Sequence, residues 1–133
     1  MSRIKVLLVD DEVEFTHGLN KVLSGRGFEV KEAKDGLMAL SMIGDENFDV
    51  IVLDIKMPGM DGHQVFKEIS RITTGTRVIV LTGHYALAEE EDTGLKGAYA
   101  YLLKPCPIIN LVALIEAAGS KEAPGPAASR NGI

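Results

Sequence analysis

Short runs of apolar residues alternate along the chain with stretches in which apolar residues recur every three or four positions. Runs that are apolar on both faces are typical of central strands in a parallel sheet. The longer period indicates amphipathic helices that pack against such a sheet. The predicted strands are Ile4–Val9, Phe28–Ala33, Val50–Leu53, Val78–Leu81 and Tyr99–Leu103. The predicted helices are Glu12–Ser24, Leu37–Ile43, Asp61–Ile72, Ala86–Leu95 and Ile108–Ala118.

The order of these elements predicts the fold. Five strands that alternate with five helices form repeated βαβ units, and such units build a doubly wound α/β domain. We predict a five-stranded parallel sheet in the order 2-1-3-4-5, the flavodoxin-like arrangement, over residues 1–119. From Ser120 onward the chain is rich in Pro, Gly and Ala, so residues 120–133 are expected to be a flexible tail or the start of a linker.

Composition narrows the classes of function. Hydrophobic residues make up 46% and charged residues 25% of the 133 residues, which suits a globular core and excludes a disordered chain. The formal net charge of −5 lacks the basic field that non-specific binding to nucleic acids or anionic membranes requires. No apolar stretch approaches the roughly 20 residues of a membrane span. The single Cys106 fits a reducing compartment, and we expect a cytoplasmic protein.

Polar side chains follow four of the five predicted strands: Asp10-Asp11, Asp54, Thr82 and Lys104. Ligands of open α/β sheets bind beyond the carboxyl ends of the strands, so these side chains should converge on one cleft. Clustered carboxylates repel one another unless a cation intervenes, and oxygen ligands suit Mg²⁺ or Mn²⁺. With a lysine and a hydroxyl opposite, this arrangement favours phosphoryl transfer, in which a carboxylate is a competent nucleophile.

Four motifs in this order resemble the receiver domains of two-component response regulators, and the resemblance covers residues 3–118. The motifs are Val9-Asp10-Asp11, Leu53-Asp54-Ile55-Lys56-Met57-Pro58-Gly59-Met60-Asp61-Gly62, Leu81-Thr82-Gly83 and Tyr101-Leu102-Leu103-Lys104-Pro105. The resemblance implies that Asp54 accepts a phosphoryl group from a phosphohistidine on a sensor histidine kinase or a phosphotransfer protein. It also implies that Mg²⁺ is bound by Asp11, Asp54 and the backbone carbonyl of Lys56, while Asp10 acts through a water molecule.

The same resemblance assigns roles to residues on the last two strands. Lys104 would pair with the phosphoryl oxygens, and Thr82 would move toward them after transfer. Tyr101 would then change rotamer into the space that Thr82 leaves. This movement would switch the face formed by the fourth helix, fifth strand and fifth helix, and so control a partner or an output domain. The peptide bond between Lys104 and Pro105 is a candidate for the cis form, which only X–Pro bonds adopt cheaply.

Lys56 and His84 each lie two residues beyond a site residue. In receiver domains such positions flank the phosphoryl group and influence how long it survives. We hypothesise that Lys56 shields the acyl phosphate from water, and that His84 adds a mild dependence on pH. In the alternative, both side chains simply point into solvent.

The last predicted helix is unusually apolar. Ile108, Leu111, Val112 and Ile115 are expected to face the sheet, which leaves Ile109 and Leu114 on other faces. An exposed apolar stripe usually marks a partner surface, so a homodimer through this helix is a further expectation.

Two rival functions deserve comparison with a receiver. A haloacid-dehalogenase-like phosphatase also uses an Asp nucleophile after a strand, but that family places a second Asp where this chain has Lys56. We therefore expect that the chain catalyses no reaction other than its own phosphorylation and dephosphorylation. A binding-only pseudo-receiver normally lacks an acidic residue, the acceptor or the lysine, and all of these are present. His17, His63 and Cys106 lack the spacing of a zinc site.

Overall fold

The structure of the chain is a computed structural model that describes residues 3–57, 59, 61–73, 75–83 and 97–120. The strands are β1 (Lys5–Val9), β2 (Glu29–Ala33), β3 (Val50–Asp54), β4 (Arg77–Thr82) and β5 (Ala100–Leu103). The helices are α1 (Val13–Gly25), α2 (Gly36–Asp45), α3 (Gly62–Ile72) and α4 (Ile108–Ser120). The predicted helix Ala86–Leu95, His84 and the predicted tail beyond Ser120 lie outside the described residues.

All five strands pair in parallel in the order β2-β1-β3-β4-β5, which confirms the predicted topology. Their ends differ from the prediction by a residue or so, and two of these differences matter for chemistry. β3 continues through Asp54 and β4 through Thr82, so both polar residues still belong to the hydrogen-bonded sheet. β2 begins after Phe28, because the Phe28 N–H bonds back to the Leu23 carbonyl at the end of α1.

The sheet is buried on both faces, which explains why its central strands are apolar at every position. Along β1, Val6 and Leu8 pack in one core cluster with residues of α1 and α4. Leu7 and Val9 point to the opposite face and pack in a second cluster with residues of α2 and α3. The helices thus cover both faces and leave the carboxyl edge of the sheet open.

The amino end of α3 lies directly against the chain that leaves β3. Asp61 is its N-cap and accepts a hydrogen bond from the His63 N–H at 3.1 Å. A Cβ atom on Gly62 would lie 2.3 Å from the Ile55 Cα and 2.4 Å from the Ile55 carbonyl oxygen. Only glycine therefore permits this approach. The start of α3 packs directly against Ile55, the residue that follows Asp54.

The last helix, α4, buries the apolar side chains of one face. Leu111, Val112 and Ile115 face the sheet as expected, but Ile108, the first residue of the helix, is 36% exposed and lies outside the core cluster. Leu114 packs against the same core cluster rather than standing free, which corrects the expectation that it lies on an outer face. Ile109 remains 60% exposed. Among the described residues, no helix is both long and apolar enough to cross a membrane.

Candidate functional site

The carboxyl edge of the sheet brings three predicted site residues into contact. Asp10 follows β1, Asp54 ends β3 and Lys104 follows β5. The Lys104 ammonium donates to Asp10 Oδ2 at 3.0 Å and to Asp54 Oδ2 at 3.3 Å. Residues 44 to 94 positions apart in sequence therefore meet because their strands end at one edge.

Asp10 and Asp54 are held in the same manner. Each side chain is almost fully buried, and each accepts a backbone N–H from the residue two positions later through its Oδ1 atom. For Asp10 the donor is Glu12 at 2.9 Å, and for Asp54 it is Lys56 at 3.0 Å. The short turn that follows each strand thus fixes one carboxylate oxygen and directs the other toward Lys104.

Lys104 is positioned by backbone contacts as well as by charge. Its N–H donates to the Thr82 carbonyl at 2.8 Å, and its peptide bond to Pro105 is cis. The ammonium also lies 5.2 Å from the centre of the Phe15 ring, where the ring face attracts a cation. Lys104 therefore lies between the end of the sheet and the first turn of α1, and contacts both.

Glu12 is the site residue that sequence reasoning missed. Its Oε1 accepts a hydrogen bond from the Lys104 ammonium. Oxygen atoms of Asp10, Glu12 and Asp54 lie within 4.8 Å of one another, close enough to share a cation. Asp11 is exposed and is not part of this group in the structure. The available signal was the acidic run from Asp10 to Glu12, which also reads as the start of a helix.

The electrostatics of the site follow from burial and crowding. The pKa of Asp54 is raised to about 6, first by burial of its carboxyl group and also by the neighbouring Asp10 charge. The Lys56 N–H and Lys104 act in the opposite direction. For Lys104, burial alone would lower the pKa, but hydrogen bonds to Glu12 and Asp10 and the nearby carboxylate charges outweigh it and raise the pKa. The site therefore holds a charged ammonium among an excess of negative groups.

This arrangement fits a divalent metal ion. The side-chain atoms of this group that could bind a metal are all carboxylate oxygens, which Mg²⁺ and Mn²⁺ prefer as ligands. The Lys104 ammonium already stands among them as a cation, which shows that the group attracts positive charge. Asp10, Glu12 and Asp54 therefore suit an ion of this class.

The remaining predicted residues lie around this centre. Thr82 is buried at the end of β4, and Tyr101 is half-buried on β5, where it packs against the cluster on the α2 and α3 side. Lys56 has an exposed side chain two positions after Asp54. His84 lies outside the described residues. The structure thus places Thr82 beside Lys104 through the backbone contact already given.

His17 and His63 stand apart from the site, whereas Cys106 lines a cavity together with Glu12 and Lys104. His17 is exposed and contacts Glu32 at 2.8 Å, and His63 contacts Asp61 at 3.3 Å. Cys106 is half-buried, and burial raises the pKa of its thiol. In the part of the chain that the structure describes, Asp10, Glu12 and Asp54 form the one group of three ligand side chains suited to a metal.

Known proteins that resemble this chain carry receiver domains. A family model for the response regulator receiver domain matches residues 6–116. Sporulation initiation phosphotransferase F of Bacillus subtilis is 34% identical over 108 residues, which are 81% of this chain and 87% of that protein. The transcriptional regulatory protein ZraR of Escherichia coli is 32% identical over 115 residues, which are 86% of this chain. The chain spans about a quarter (26%) of the length of ZraR.

A solved structure adds a comparison in three dimensions. The response regulator TrrA from Thermotoga maritima, in complex with Mg²⁺ and BeF, superposes with a TM-score of 0.77 at 29% identity. The match covers 86% of this chain and 98% of that one. The fold is therefore shared with a protein whose structure was solved in complex with Mg²⁺ and BeF.

Proposed function

The chain belongs to the response regulator receiver family, a family of phosphoacceptor signalling domains, and from this premise we propose that Asp54 is its phosphoacceptor. One observation carries the proposal: Lys104 bridges Asp10 and Asp54 at the open edge of the sheet. A buried carboxylate beside a fixed ammonium and a second carboxylate is the arrangement that phosphoryl transfer requires.

The proposed reaction balances at the acceptor. A carboxylate oxygen of Asp54 forms a bond to phosphorus as the bond from phosphorus to the donor's imidazole nitrogen breaks. The donor would be a sensor histidine kinase or a phosphotransfer protein. Lys104 would pair with the phosphoryl oxygens, and the buried Thr82 would move toward them after transfer so that its hydroxyl donates to them. A bound Mg²⁺ would neutralise charge that builds up on these oxygens.

The metal ligands are part of the proposal. Asp54 and the Lys56 carbonyl would bind Mg²⁺ directly, with Asp10 acting through water. Asp11 remains a proposed ligand by family resemblance, and its exposed side chain lies next to the group. A Glu12 oxygen lies beside these proposed ligands, within 4.8 Å of oxygens of Asp10 and Asp54. Mn²⁺ would suit the same oxygens.

Phosphorylation would control a partner or an output domain by changing the face of the chain that includes β5 and α4. Thr82 and Tyr101 are the proposed switch, since both lie on strands that border this face. The relatives span two contexts, a protein of similar length and longer transcriptional regulators, and this chain could act in either. The exposed Ile108 and Ile109 support a homodimer through α4, though Leu114 is not available for it.

Two further parts of the proposal concern location and lifetime. The free Cys106 and the formal net charge of −5 support action in the cytoplasm without direct binding to nucleic acid. The exposed Lys56 side chain, anchored by its backbone next to Asp54, supports its role in shielding the acyl phosphate. A role of His84 in the pH dependence of that lifetime is retained from the sequence.

Intact mass spectrometry after incubation with acetyl phosphate tests the proposal. With Mg²⁺ present we expect a gain of one phosphoryl group, because the metal offsets the negative charge that otherwise repels the donor. With EDTA in place of Mg²⁺ the gain should disappear. Circular dichroism in both buffers is the control for folding. A folded chain that gains no phosphoryl group in Mg²⁺ would favour the binding-only alternative.

A further inference from the structure

Glu12 lies at the N-cap position of α1, but its side chain does not cap the helix. It is the N-cap residue of α1, where short polar side chains usually accept a backbone N–H of the helix. Its side chain makes no such bond. The Glu12 N–H donates to Asp10, while its Oε1 accepts from the Lys104 ammonium. The glutamate side chain therefore serves Lys104 and not the helix.

Lys104 has as many acceptors as it has donors. An ammonium group carries three N–H donors, and Asp10, Asp54 and Glu12 each accept from it. A phosphoryl group on Asp54 brings new oxygens that also need this ammonium. To pair with them, Lys104 must release one of its present acceptors.

The three acceptors differ in exposure. The side chains of Asp10 and Asp54 are 2% and 4% exposed, whereas the Glu12 side chain is 59% exposed. The contact with Glu12 is the one that solvent can replace most cheaply. It also draws the ammonium toward the first turn of α1 and places a negative charge within 4.8 Å of an Asp54 oxygen.

We propose that Glu12 is a positioning residue that holds Lys104 back from the phosphoryl group and thereby weakens its binding. This inference rests on the proposed function, because it concerns the group that Asp54 would carry. It assigns Glu12 a role as a restraint on Lys104, distinct from that of the buried carboxylates. Because the pKa of Lys104 is raised, its ammonium stays charged, and Glu12 controls the position of the ammonium rather than its charge.

The test uses Mg²⁺ and beryllofluoride, a phosphoryl analogue, with binding measured by isothermal titration calorimetry on the full chain. At saturating Mg²⁺, Glu12→Gln is expected to bind the analogue about two- to fivefold more tightly, the range that a partly exposed ion pair supports. Glu12→Asp keeps the charge but shortens the reach to Lys104, so it should tighten binding as well. Glu14→Gln removes the same charge from the first turn of α1 and should bind like the wild type.

The outcomes separate this inference from the proposed function. Equal affinities in wild type and Glu12→Gln, or equal tightening in Glu14→Gln, would overturn the role of Glu12 and leave the proposed function intact. Wild-type affinity in Glu12→Asp would also overturn it, since charge alone would then account for the effect. A marked loss of Mg²⁺ affinity in Glu12→Gln, titrated without the analogue, would identify a metal ligand instead. A wild type that binds no analogue would refute the proposed function and this inference together.

Discussion

Gly62→Ala is expected to destabilise the chain by about 2–3 kcal/mol. The added Cβ would lie 2.3 Å from the Ile55 Cα and 2.4 Å from its carbonyl oxygen, and both atoms belong to the backbone. No side chain can turn aside to make room, so α3 must move away from the end of β3. Urea unfolding followed by circular dichroism measures this loss, with an unchanged m-value as the check on two-state behaviour.

Gly18→Ala is the matched control for that substitution. Gly18 lies within α1, and a Cβ there would have no other atom within 4 Å. Alanine at an open helical position should raise the free energy of unfolding by about 0.5–1 kcal/mol. If Gly62→Ala were as stable as the wild type, the close approach of α3 to Ile55 would be wrong.

The second large effect is expected for Asp54→Asn, which should stabilise the metal-free chain at pH 8 by about 1–3 kcal/mol. The folded pKa of Asp54 is about 6, above the unfolded value near 3.9. Between these values the folded chain binds more protons than the unfolded chain, so stability falls as pH rises through this window. Above the folded pKa, the full cost of the buried charge is present, and asparagine removes it.

The pH dependence makes this prediction specific. In EDTA, wild type and Asp54→Asn should have similar free energies of unfolding near pH 4, and the gap should open between about pH 4 and pH 7. Urea unfolding at a series of pH values measures it. A gap of the same size at pH 4 and pH 8 would show that the buried charge is not its cause. The expected pattern means that the chain keeps the Asp54 carboxylate at a cost in stability, as proteins do at many functional sites.

Much of the fold and part of the site could be predicted from sequence. The strand order and the meeting of Asp10, Asp54 and Lys104 follow from apolar runs that end in polar residues, because parallel strands bring their carboxyl ends to one edge. These are local patterns whose consequence is set by the fold class. No knowledge of side-chain contacts was needed.

The parts that could not be predicted depend on contacts between residues far apart in sequence and on how closely the packed helices approach the sheet. Glu12 contacts a lysine 92 positions away, and nothing in the local sequence separates that role from the ordinary chemistry of a helix start. Gly62 reads as part of a capping turn, while its contact with Ile55 exists only once α3 has docked. Leu114 was assigned to the outside of α4 by its spacing, yet it packs against the core because α4 lies close to the sheet.

The central claim is that Asp54 takes the phosphoryl group, and locating that group on the chain tests it most directly. After incubation with Mg²⁺ and acetyl phosphate, borohydride reduces an aspartyl phosphate to homoserine, which peptide mass spectrometry assigns to one position. Asp54→Asn, treated in the same way, is the control. We predict homoserine at position 54 in the wild type and no phosphoryl gain in the variant. Homoserine at another position, or a phosphoryl group that persists in folded Asp54→Asn, would contradict the account.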